Sequence, residues 1–253
     1  MENENAVLFF QRYRKVILGM TLVVAAVVLG MVAFLSVQDI VTKKAIKDIE
    51  ELAVRYNELK PSFNGENAEK MGDVDKLLTD LAAFAEKTGR YSGSRAWSMA
   101  GDIYAEKKVW LDAENAYINS AHTGKKTYLA PVSLYNAAVC AEEQGKNEEA
   151  REYWVKSLAY ADFPLAARAQ FSIGRLWEKT GNVDEALAAY RLLVETYTKE
   201  AEWANLAQSR IIALETGMPA IVPAAAPAPE TEAASPAAAT SEAASPAPTE
   251  ALE

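Results

Sequence analysis

Residues 167–199, ARAQFSIGRLWEKTGNVDEALAAYRLLVETYTK, decide the architecture of this chain. Gly174 and Trp177 fall on a first helical segment, Gly181 marks a turn, and Ala186 and Tyr190 fall on a second segment. The same types recur upstream when Pro131–Phe163 and the stretch from Ser94 to about Gly124 are aligned beneath it. In the middle unit the matching residues are Ala138, Ala141, Gly145, Ala150 and Trp154; in the first they are Gly101, Tyr104, Lys108, Ala113 and Tyr117. The three units start 37 and 36 residues apart, which fits a helix pair plus its turn. The chemistry of these positions is packing. A glycine or alanine on the first helix lets the second approach, an aromatic fills the adjacent gap, and a turn glycine suits the left-handed conformation at a helix end. Asn182, three residues before Glu185, is placed to cap the second helix.

Around these units the pattern stays helical. Ile46, Ile49, Leu52, Ala53, Tyr56 and Leu59 recur at helical spacing until Lys60-Pro61. Val74, Leu77, Leu78, Leu81 and Phe84 form the face of another helix, ended by Gly89. Trp203, Leu206, Ala207 and Ile211 predict a closing helix. No segment sustains period-2 alternation, so the fold class is all-α.

The pattern resembles the tetratricopeptide repeat (TPR) family. The resemblance rests on Ile173-Gly174, Trp177, Gly181, Ala186 and Tyr190, and on Trp97, Gly101, Tyr104, Ala113 and Tyr117. The family's terminal proline is shifted to Pro164 in the middle unit and replaced by Thr198 in the last. The resemblance implies a helical-hairpin solenoid over residues 40–216, with repeats near 94–127, 131–163 and 167–199 and a capping helix at 201–216. It also implies a concave partner-binding face built from the first helices. Carried over position by position, that face falls on Arg95, Ser98 and Asp102, on Tyr135, Val139 and Glu142, and on Arg168, Phe171, Arg175 and Lys179. Arg168 and Arg175 lie seven residues apart with Phe171 between them, a pairing suited to an acidic segment beside an apolar anchor. The competing reading is that Tyr135 and Phe171 pack against neighbouring helices while the arginines pair with glutamates.

Ahead of the repeats, Val16–Val37 runs VILGMTLVVAAVVLGMVAFLSV, 22 residues without a charge. As a helix it spans about 33 Å, enough for a hydrocarbon core of about 30 Å. The stretch is too long for a signal-peptide core and lacks a small-x-small cleavage site, so an uncleaved transmembrane signal anchor is predicted. Arg12, Arg14 and Lys15 abut it while Lys43, Lys44 and Lys47 lie further off on its other side, near parity by count; the closer cluster and the very short tail favour residues 1–15 in the cytoplasm and the bulk outside.

Beyond the repeats, residues 218–253 hold 14 alanines, seven prolines and five glutamates without a basic residue. EAASPA occurs at 232–237 and again at 242–247. This composition predicts a disordered, acidic Ala/Pro-rich tail at 217–253.

The 253 residues permit one substantial domain plus such extras. A net charge of −9 argues against nucleic-acid binding. The lone Cys140 removes any disulfide framework or cysteine metal cluster, and the lone His122, in an Ala-His-Thr-Gly linker, leaves no histidine zinc site. No phosphate loop, dinucleotide fingerprint, HExxH or GxSxG motif is present. We therefore expect no enzyme activity, metal or cofactor. Anchor plus TPR-like domain resembles, in architecture, the bacterial inner-membrane TPR proteins that accompany the Sec translocon. That resemblance implies a periplasmic chaperone or adaptor for exported proteins, with protein or extended peptide partners. A scaffold subunit of a cell-envelope or division complex, or a cytosol-facing import receptor, would share the same sequence features.

Overall fold

The computed structural model describes residues 2–65 and 67–217. Every long regular element among them is a helix: α1 (Glu2–Leu59), α2 (Met71–Lys87), α3 (Arg90–Glu106), α4 (Trp110–Thr123), α5 (Leu129–Glu143), α6 (Asn147–Leu158), α7 (Ala166–Lys179), α8 (Val183–Thr196) and α9 (Ala201–Thr216). Short 3-10 turns lie at Lys60–Ser62 and Ala68–Lys70. The tail expected at 217–253 lies outside the described residues from Met218 onward. The chain divides into two units between Lys60 and Pro61. Residues 40–59, grouped by the sequence with the repeats, fall in the first unit.

The first unit is α1, 58 residues without interruption. The expected anchor and the helix that follows it are thus one rod, about 87 Å long at 1.5 Å per residue. No proline interrupts the sequence before Pro61, and the hydroxyls along it bond to carbonyls one turn back instead of competing for other partners. Ser36 Oγ donates to the Val32 carbonyl at 2.9 Å and Thr42 Oγ1 to the Gln38 carbonyl at 2.7 Å. By length and composition α1 is able to cross a membrane. Its most apolar 18-residue window has a mean hydropathy of 2.7, and none of that window is buried.

The second unit stacks three helix pairs, α3/α4, α5/α6 and α7/α8, each packed on the next, with α2 against α3 and α9 against α8. Their tight turns share one backbone device. Gly145 and Gly181 sit at φ +77° and +81°, and Lys108 takes the same left-handed conformation at φ +56°. Glycine does this without Cβ strain, whereas Lys108 does not. Asn182 precedes α8, but its side chain does not cap it. Its amide nitrogen instead donates to Thr180 Oγ1 at 2.9 Å, folding back on the turn.

Two glycines set the distance within a pair. A Cβ on Gly174 would lie 2.5 Å from Cε1 of Tyr190, and one on Gly101 would lie 2.7 Å from Cε1 of Tyr117. In each pair the tyrosine ring of the second helix therefore rests on the bare backbone of the first. Both rings are pinned at the far end: Tyr117 OH donates to Asp102 at 2.7 Å and Tyr190 OH to Glu178 at 3.0 Å. The middle pair matches Ala138 to the buried indole of Trp154.

The Trp154 indole N–H is buried without a hydrogen-bond partner among the described residues, whereas the buried serines of this packing are paired. Ser94, Ser120 and Ser133, all fully buried, join α3, α4 and α5. Ser120 Oγ donates to the Ser94 carbonyl at 2.8 Å and lies 2.7 Å from Ser133 Oγ. In α2, Val74, Leu77, Leu78, Leu81 and Ala85 are buried. Phe84, expected among them, is only half-buried, because the buried stripe runs on through Ala85.

Gly174→Ala tests the ring-on-backbone contact. Alanine adds helix propensity worth up to about 1 kcal/mol, but overpacking costs about 1–3 kcal/mol where the ring has no room to retreat. The expected result is net destabilisation, read as a lower urea midpoint. Gly72→Ala in α2, where an added Cβ meets nothing within 4 Å, is expected to show no such loss.

Candidate functional site

The first helices touch one another along the stack, and ionic clamps mark the contacts. Arg175 of α7 reaches back to Glu142 of α5, with Nη1 and Nη2 donating to its two carboxylate oxygens at 2.7 and 2.5 Å. Lys179 adds a contact to the same carboxylate at 3.6 Å. One repeat on, Arg210 of α9 grips Glu178 of α7 in the same two-pronged way. Glu142 and Glu178 are 36 residues apart and Arg175 and Arg210 are 35, so the clamp recurs at the repeat period. By this measure α9 stands where the first helix of a further pair would stand. The period itself was the signal for Arg210, which sequence reasoning passed over.

The structure distributes the ten face residues over three settings. At the α3 end, Arg95 and Ser98 are half-buried, and Asp102 is buried as the acceptor of Tyr117. The Arg95 charge acts on Tyr128, whose hydroxyl lies 3.4 Å from that of Tyr91. Burial still pushes the Tyr128 phenol above its ordinary range. In the centre, Val139 packs half-buried on the core, and Glu142 serves the clamp with Arg175 and Lys179. The hydrogen bond to Glu142 raises the Arg175 pKa further.

Arg168, Tyr135 and Phe171 make up the third setting, together with Trp203. Tyr135 is buried, its ring 6.4 Å from that of Trp154 and 6.3 Å from that of Phe163. Burial raises its pKa, and the positive charge of Arg168 opposes that rise. Phe171 turns to Tyr190 and Trp203, with ring centroids at 5.3 and 5.6 Å. Arg168 lies between two rings: its guanidinium carbon is 5.6 Å from the Tyr135 centroid and 5.9 Å from that of Trp203. It forms no ion pair among the described residues. Arg168 and Arg175 thus have different surroundings, one aromatic and one carboxylate. Trp203 was legible only as a packing residue, since its place beside Arg168 depends on how α9 meets α7.

The remaining chemistry-bearing residues are tied into the scaffold. Glu114, buried on α4, accepts from Gln144 at 2.7 Å, Lys146 at 3.0 Å and Tyr153 at 3.2 Å, locking α4 to the next pair. His122 belongs to the last turn of α4 and is exposed there, not in a linker as the sequence suggested. The helix runs on to Thr123 and ends at Gly124. An open hollow of about 580 Å³ between α2 and α3 is lined by Asp75, Tyr104 and Lys107 among others, and its Lys107 and Asp75 pair at 2.9 Å. Among the described residues, no three His, Cys, Asp or Glu side chains group to hold a metal.

The repeats have counterparts in known proteins. Residues 135–201 match the tetratricopeptide repeat family. A TPR repeat-containing protein of Treponema pallidum (strain Nichols) is 39% identical over 145 residues, covering 56% of this chain and 60% of that protein. The match therefore spans less than two thirds of the relative's own length. Two crystal structures of Podosopora anserina putative kinesin light chain nearly identical TPR-like repeats, one of them of a point variant, are 15% and 14% identical. They cover 66% of this chain and 87% and 86% of their own, with TM-scores of 0.48 and 0.49. The repeats matched, from Tyr135 to Ala201, are of the tetratricopeptide type.

Cys140 gives this core an alkaline limit. Burial, aided by the charges of Glu114 and Asp102, pushes its thiol up to about 12. The unfolded thiol ionises near pH 8.5 while the folded one keeps its proton, so stability is full below that pH and falls as pH rises towards the folded value. The urea midpoint is expected to drop between pH 8 and pH 10.5. At pH 8 the native thiol should resist alkylation that the unfolded chain accepts.

Proposed function

We propose that this is a membrane-anchored, extracytoplasmic TPR protein that holds protein partners on its first-helix face, serving exported proteins as a translocon-associated chaperone or adaptor. The observation that carries the binding part is Arg168, a half-buried residue whose guanidinium has ring neighbours and no carboxylate among the described residues. Burying a cation is unfavourable unless it is paired, so this position suits an incoming anion. Arg175 and Lys179 share Glu142, so they contribute surplus positive charge beside it and not a free guanidinium. Val139 and the edge of Phe171 offer apolar surface, and Arg95 extends the face towards α3. The partner segment that fits is acidic with an apolar anchor.

The anchoring part is supported by α1, whose apolar window stands exposed over a length sufficient for a bilayer. Arg12, Arg14 and Lys15 at the near end of that window favour an inner-membrane orientation with the repeats in the periplasm. We expect no enzyme activity: Glu114 is engaged by Gln144, Lys146 and Tyr153, and the Cys140 thiol is buried in the core.

Extraction in mild detergent followed by mass spectrometry tests the assignment. Translocon subunits with secreted or outer-membrane clients are the expected companions. A fixed stoichiometric set of envelope proteins without the translocon would overturn the chaperone reading in favour of a scaffold. Arg168→Glu is expected to reduce partner capture at least tenfold while the stability read from urea unfolding stays within about 1 kcal/mol of the parent. Undiminished capture by that variant would remove the face from consideration. In sealed inner-membrane vesicles, protease added from the cytoplasmic side should leave the repeats intact.

A further inference from the structure

We propose that the acidic segment around Glu230 and Glu232 of this same chain docks at Arg168, so that the partner face carries its own internal competitor. The inference rests on the reading of that face as the binding surface and adds its regulation.

The observations converge on one position. Along α5, α7 and α9 the clamp cations are matched within the fold: Arg175 and Lys179 to Glu142, and Arg210 to Glu178. Among the described residues Arg168 is the exception, paired with no carboxylate and lying near the rings of Tyr135 and Trp203. Trp203 belongs to α9, the helix that leads directly into residues 218–253. That segment is the most one-sidedly charged part of the chain, with five glutamates and no lysine or arginine.

Reach is ample. From Trp203 to Gly217 the helix advances about 21 Å at 1.5 Å per residue. From Gly217 to Glu230 the chain has 13 residues, a contour of about 45 Å at 3.3–3.6 Å per residue. Ile221 and Val222 precede the first glutamates in sequence. A tethered acidic segment acts at an effective concentration in the millimolar range, enough to compete with weak external ligands.

The test uses the full chain in detergent and a fluorescein-labelled synthetic peptide copying residues 218–242. Its host variant carries Glu230→Gln, Glu232→Gln and Glu242→Gln, changes outside the helical repeats. The peptide is expected to bind this variant about tenfold tighter than the parent chain, with Arg168→Glu abolishing binding in the variant background. Raising salt should weaken binding to the variant. Equal affinity for parent and variant, or no binding to either, overturns the proposal. If client capture depends on Arg168 yet does not respond to the tail changes, the internal competitor is refuted and the binding face stands. A second readout guards against a silent peptide. With Arg168→Lys in the full chain, carbodiimide should join position 168 to Glu230 or Glu232 within one chain, at a yield independent of protein concentration. A concentration-dependent yield would assign the contact to a second copy and overturn the proposal.

Discussion

The repeat domain depends on a missing atom. At Gly174 and Gly101 the absence of a Cβ lets a tyrosine ring from the second helix lie on the backbone of the first. That contact sets how near the two helices of a pair come, and the pair spacing sets where the next first helix falls. Side-chain packing this close has little slack, since protein interiors are filled to crystal-like density and a single methyl is felt. The tyrosine hydroxyls then cannot reach water, and each is given a carboxylate. The two carboxylates come from different places: Asp102 is the residue after its glycine, and Glu178 lies one turn beyond its own. What the fold requires is a ring on a bare backbone and an acceptor for its hydroxyl, not a fixed acceptor position.

That choice of acceptor propagates along the stack. Glu178, already holding Tyr190, also takes Arg210 from α9, so the packing of the last pair and the attachment of the closing helix run through one side chain. Glu142 fills the equivalent place between α5 and α7 with Arg175 and Lys179. These are partly exposed ion pairs, whose individual contributions are small. Their importance is geometric, because two-pronged arginine pairs fix register as well as distance. One step earlier the repeat position falls on Ala105 in α3 and the corresponding arginine position on Val139 in α5, so apolar side chains stand where the clamp would be. The clamp therefore recurs only between α5 and α7 and between α7 and α9, on top of apolar packing that runs through both ends of the stack.

The all-α class and the repeat were readable because both follow from local rules. Small and aromatic residues at a 36–37 residue period need only self-alignment to be seen, and the turn positions follow, including Lys108 in place of glycine. What could not be read depends on distances between helices that no local rule fixes. Asn182 sits at a capping position, yet its amide is drawn to Thr180, a competition settled by turn geometry. His122 looked like a linker residue because the Thr-Gly after it reads as a break, but α4 extends to the glycine itself. Arg168 and Arg175 are indistinguishable in sequence, being cations on one helical face. Only the placement of α5 and α9 on either side gives one a carboxylate and the other two rings.

The same contrast explains why the charge of the whole chain is a poor guide to its surface. A chain at −9 is expected to repel acidic ligands, but its negative charge is unevenly placed. Five of the glutamates lie beyond Met218, and several others, such as Glu114, Glu142 and Glu178, are consumed by internal donors. A carboxylate used as an acceptor inside the fold no longer shields a cation outside it. Arg168 keeps its field because the aromatic residues around it offer quadrupoles in place of an ion, which hold a guanidinium in position without neutralising it. A position so held stays oriented and still favours an anion, the two properties that the recognition site proposed above requires before its ligand arrives.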